Sequence, residues 1–143
     1  METIRFALAV DHSNQFVSQH FGQAYKFLIY ESNTEGIIFK KEISNYYRTY
    51  DEDHKHGSAI KAQNIIKTMM EENIKVLVSH QFGKNIKRIS SHFIPVVVIQ
   101  KNVNEVIGVL SKNLNWIIDE LNTTRSSHHL LSIRNGMLKT AIQ

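Results

Sequence analysis

The chain has 143 residues, of which 42% are hydrophobic and 21% charged, and its formal charge is +4. These totals describe one globular domain able to bury a core without staples, and they exclude a disordered or fibrous chain. No cysteine is present, which removes disulfides, thiolate metal ligands and cysteine nucleophiles together.

Any metal must therefore be held by His, carboxylates, Met or backbone groups, or by ligands it brings with it. No apolar run approaches the roughly 20 residues that span a bilayer. Met1-Glu2-Thr3-Ile4-Arg5 opens directly into a strand pattern rather than a signal peptide. A cytoplasmic protein away from membranes is expected. The scattered Lys and Arg residues permit an anionic partner without demanding nucleic acid. Eight histidines are the notable total, because histidine is the usual transition-metal ligand when cysteine is absent.

In chain order, Ile4, Phe6, Leu8 and Val10 alternate with Arg5, Ala7 and Ala9, a strand ending at Asp11. A polar loop runs to Tyr25. Strands are predicted over 27–31 and 37–43, joined by the turn Ser32-Asn33-Thr34-Glu35-Gly36 as a hairpin. After the polar stretch 44–57, Ala59, Ala62, Ile66 and Met69 recur at helical spacing, with Asn73 as a stop. Val76-Leu77-Val78 reads as a buried parallel strand. Ile86, Ile89 and Phe93 mark a short helix after Gly83, and Pro95 suits the start of a strand over 96–99.

Val103, Val106, Ile107, Leu110, Leu114, Ile117, Ile118 and Leu121 form one apolar stripe, read as a single last helix. Asn102 caps it, with Glu105 three residues on. Residues 122–143 read as a linker and a short tail, helical or disordered, carrying His128 and His129. The expected fold is α/β: a mixed five-stranded sheet flanked by helices, in the order β-β-β-α-β-α-β-α. An antiparallel meander followed by right-handed crossovers sends strands one, three, four and five the same way.

That topology brings His12, His20, His54, His56 and His80 to one sheet edge, the carboxyl edge where open α/β sheets bind ligands. His92 falls at the other end. Gly57 and Gly83 stand at helix starts, where free N–H groups suit an anion and a missing Cβ allows close approach. Together with Ser79-His80-Gln81-Phe82-Gly83 they outline an anion pocket flanked by imidazoles.

Other chemistry is thinner. No phosphate-binding loop, dinucleotide fingerprint or H-E-x-x-H occurs. Asp11 could start a metal-dependent hydrolase site with Glu31, Asp51 or Asp53. Lys84, Lys87 and Arg88 could touch phosphates, and Tyr46, Tyr47 and Tyr50 could stack on a base. A solvated helix face and a loop packed on its own sheet are the plainer accounts.

Val17-Ser18-Gln19-His20-Phe21-Gly22-Gln23-Ala24, after an Ala-Val-Asp strand end and before Phe27-Leu28-Ile29-Tyr30, resembles the dinitrogenase iron–molybdenum cofactor biosynthesis family. Its members are NifX-like proteins and the carboxyl-terminal domain of NifB-like proteins. His56-Gly57 before the first helix also fits, and the resemblance covers about residues 3 to 121. It implies a ribonuclease H-like fold and a non-catalytic role in binding or carrying an iron–sulfur-type cluster or iron–molybdenum cofactor precursor. Cofactor donor and acceptor proteins would be the partners.

The resemblance carries over onto His20, Phe21, Gly22, His56 and Gly57. Where the family has a glycine-rich turn after strand four, this chain has Ser79-His80-Gln81-Phe82-Gly83. The expected cofactor-binding residues are His20, Phe21, Gly22, Gly57 and Gly83. The expected metal ligands, in order, are His20, His56, His80, His12 and His54. The alternatives are a ribonuclease H-like hydrolase around Asp11, and an interaction module whose tail docks on a partner or on a second copy as a homodimer.

Overall fold

A computed structural model describes residues 3–49, 57–123 and 125–141. Strand β1 (Arg5–Val10) is followed by the hairpin of β2 (Lys26–Asn33) and β3 (Gly36–Ser44). Then come α1 (Gly57–Glu71), β4 (Ile74–Ser79), α2 (Ile86–Ser90), β5 (Ile94–Val98), α3 (Val103–Lys112) and α4 (Leu114–Leu121). The chain ends in β6 (Leu131–Arg134) and β7 (Met137–Thr140).

The strands make one seven-stranded mixed sheet in the order β3-β2-β1-β4-β5-β6-β7. β2 is antiparallel to β1 and β3; β1, β4, β5 and β6 run parallel; β7 returns antiparallel. The expected directions of the first five strands hold. The expected count of five does not, because the linker-and-tail reading of 122–143 gives way to two further strands. The physical reason is the tight turn at Asn135 and Gly136, both at positive φ (53° and 71°). That is the conformation Asn-Gly supplies to a two-residue hairpin. The hairpin buries Leu131, Ile133 and Leu138 in the same core as β1 and β5.

Alternation along β1 divides the interior. Phe6, Leu8 and Val10 face α3 and α4, while Ala7 and Ala9 face the α1 side. The small alanines leave room on that second face for Phe21, Phe27 and Met69. A second correction concerns the last helix, which breaks at Asn113 (φ −117°, ψ 24°) into α3 and α4 while the apolar stripe continues across the break. Asn102 does cap α3: its Oδ1 accepts from the N–H groups of Asn104 at 2.8 Å and Glu105 at 3.4 Å. No helix among the described residues is long and apolar enough to cross a membrane.

Candidate functional site

The loop after β1 is built inward from its ends. Asp11 Oδ1 accepts from the N–H groups of Ser13 and Gln15 at 2.8 and 3.1 Å, and Asn14 takes a positive φ of 62°. This is a side-chain-closed turn. It gives Asp11 a loop-forming role. Phe16 then drops into the α3 face and Val17 into the α1 face. Phe21 buries itself against Phe27 and Phe82, with ring centroids 4.8 and 5.7 Å away.

Anchors on both sides leave His20 exposed at the top. The Phe21 N–H donates to the Gln81 carbonyl at 2.8 Å, and Gln81 Nε2 donates to the Ser18 carbonyl at 2.9 Å. The loops after β1 and β4 are thus stitched together. From the other side, buried Asn45 donates through Nδ2 to the carbonyls of Gly22 and Ala24, each at 2.9 Å.

The His20 ring lies on Gly83. Gly83 has φ +68°, and a Cβ there would stand 2.7 Å from His20 Nδ1 and 2.8 Å from Cε1. Glycine is therefore required twice, for its conformation and for the space the imidazole fills. Gly83 opens a short 3-10 turn ahead of the five-residue α2, so the anion-binding helix start expected there becomes a seat for His20. Gly22 serves a related purpose, since a Cβ would meet Lys61 Cε at 3.3 Å and Ile65 Cδ1 at 3.4 Å. The loop can lie on α1 because that atom is missing.

Below His20 opens a cavity of about 260 Å³ between the loop, α1 and α2. Ile65, Met69, Leu77 and Ile89 line its interior, and Lys61 and Lys84 stand beside His20 among its polar groups. Lys61 is 5% exposed, and its Nζ donates to the Arg48 carbonyl at 2.8 Å. Sequence reasoning passed over both Lys61 and Asn45. Lys61 was legible, because it stands at i, i+4 and i+8 with Ile65 and Met69 on the buried stripe of α1. Asn45, beyond the end of β3, gave no such signal.

Of the other expected ligands, the two that are described, His12 and His80, are not gathered around His20. His12 packs its ring on Tyr25, 4.2 Å between centroids. His80 turns to the opposite sheet face, stacking on Phe16 at 5.8 Å with Nε2 2.7 Å from the Gln100 carbonyl. His54 and His56 lie outside the described residues, as do Tyr50, Asp51 and Asp53. Gly57 is the first residue of α1. Lys84 does reach the cavity, while Lys87 and Arg88 lie exposed on α2. Tyr46 is exposed; Tyr47 packs against the α1-side core.

No group of three His, Asp or Glu side chains among the described residues could hold a metal ion. A bare ion, which wants three or four protein donors, finds no such set among the described residues. A preassembled cluster carrying its own ligands fits one exposed imidazole beside a cationic, partly apolar hollow.

Fold and site together define a small α/β domain with an exposed histidine seated over a cavity at the carboxyl edge of its sheet. The chain belongs to the dinitrogenase iron–molybdenum cofactor family, whose model matches residues 2–113. The match stops just before α4, so the β6–β7 hairpin lies outside it. No curated protein matches the chain.

Proposed function

We propose that this protein binds and hands on a preassembled iron–sulfur-type metallocofactor, or a precursor of the iron–molybdenum cofactor, as cargo and without catalysis. The reading rests on membership of the cofactor family and on one observation: His20, exposed and seated on Gly83 at the edge of the cavity. A single imidazole with nearby ammonium groups suits an anionic cluster that must be released, whereas closed sites of four protein ligands retain their metal. The partners are then a cofactor donor and an acceptor in the cytoplasm. The order β3-β2-β1-β4-β5 with β2 reversed supports a ribonuclease H-like arrangement of the first five strands.

The test is anaerobic. The protein is mixed with an iron–sulfur cofactor donor, and iron and visible absorbance co-eluting on gel filtration are measured for wild type and His20→Ala. Iron should stay with wild type and fall at least about tenfold in the variant, the loss that 1.4 kcal/mol of binding represents. Absence of iron from both proteins overturns the carrier reading.

A further inference from the structure

The cavity under His20 has more apolar wall than a cluster of metal and sulfide would use. Its interior is aliphatic, from Ile65, Met69, Leu77 and Ile89, and among the described residues none that lines it is acidic. Its described polar side chains are Gln23, Lys61, Lys84, Asn85 and the His20 imidazole. An apolar hollow with a few convergent polar groups is the general form of a small-molecule site, the polar groups fixing one end of the ligand. Its volume of about 260 Å³ lies between the ~150 Å³ cavity that accepts benzene and the ~300–1,000 Å³ sites of drug-sized ligands. That is room for one ring or a short chain with a single head group.

The geometry points to a binding site for a small organic monocarboxylate, its apolar body against Met69 and Leu77 and its carboxylate among Lys84, Asn85 and His20. Charge favours an anion, because among the described lining residues it meets Lys84, Asn85 and His20 and no carboxylate. Lys61, whose Nζ donates to the Arg48 carbonyl at 2.8 Å, belongs to the same wall. The inference goes beyond the cofactor reading and stands without it, since it needs no metal.

The experiment uses the full chain, metal-free and labelled with nitrogen-15, titrated with 3-phenylpropionate and separately with its neutral amide, 3-phenylpropanamide. The acid should give saturable shifts at Gly22, Ile65 and Ile89, and the amide should bind at least about tenfold more weakly. Ala62→Phe fills the hollow and should abolish the shifts. Lys84→Glu changes only an exposed side chain, so it remains informative if Ala62→Phe fails to fold; it should weaken the acid but not the amide. Equal binding of acid and amide, shifts away from these residues, or no saturation at millimolar concentration would each overturn the site. Any of these leaves the iron-retention result of His20→Ala untouched, so the two ideas fail separately.

Discussion

Two histidine-bearing regions sit at opposite edges of the sheet and use the residue in opposite ways. At the carboxyl edge, His20 is exposed and held by shape: its ring rests on Gly83, and among the described residues the ring itself makes no hydrogen bond. At the amino edge, near the starts of β5 and β6, His128 and His129 close around Glu120, which is 4% exposed. Glu120 Oε1 accepts from Arg125 Nη2 at 2.7 Å. Its Oε2 accepts from His128 Nδ1 and from the His129 backbone N–H, each at 3.2 Å, and His129 Nδ1 lies 3.3 Å from Oε1. The ionised carboxylate is acceptor-only, so His128 carries its proton on Nδ1. One region spends its imidazoles on architecture, fastening the β6–β7 hairpin to α4. The other keeps one imidazole unspent, which is what a ligand site requires.

The sharpest way to break this contrast is Glu120→Ala. It strips the partner from Arg125, His128 and the His129 N–H at once and should cost about 3 kcal/mol, read as a lower urea midpoint. Iron retention by the folded fraction should be unchanged. If iron retention fell with stability, the two edges would not be independent. Gly83→Ala is the converse. A β-carbon at φ +68° costs ~1–2 kcal/mol and would occupy the space of the His20 ring. Stability should fall less than in Glu120→Ala, and iron retention should fall to the level of His20→Ala.

Acid titration reads the Glu120 cluster alone. Burial pushes this carboxyl up, but hydrogen bonds from Arg125, the His129 N–H and His128, with the charge of Arg125, outweigh it and hold the group below its ordinary 4.5. A lowered folded-state value means that its contribution is present above pH 4.5 and is lost as pH falls below that through the lowered value. The wild-type urea midpoint should therefore decline more steeply below pH 4.5 than that of Glu120→Gln. Parallel declines would show that the cluster adds no charge-dependent stability.

The sequence made one edge more legible than the other. Alternation in β1, the turn at Gly36 and right-handed crossovers were enough to set the directions of the first five strands and to place His20 above the carboxyl edge. Face, as opposed to edge, was also legible at His80: Val78 and His80 share a side of β4, and Val78 belongs to the core that packs Phe16. The second region hid for a different reason. Asn135-Gly136 is a strong hairpin signal, but the strands it joins have four residues each, and the doublet Leu130-Leu131 spoils the alternation. The break at Asn113 left no Gly or Pro to mark it, because Asn113 Nδ2 donates to the Val109 carbonyl at 2.8 Å while Leu110 and Leu114 stay in one core.

The smallest expected effect separates edge from site within the first region. His12 shares the loop with His20 but packs on Tyr25, which also carries the Arg48 guanidinium 3.7 Å above its ring. His12→Ala removes one exposed ring contact, so stability should drop by only about 0.5 kcal/mol. If the site depends on a single seated imidazole, His12→Ala and His80→Ala should both retain iron as wild type does, although His80→Ala also loses a bond to the Gln100 carbonyl. A fall in retained iron in either variant would mean that the histidines of this edge act jointly, and the contrast between a lone His20 and a converging cluster at Glu120 would have to be abandoned.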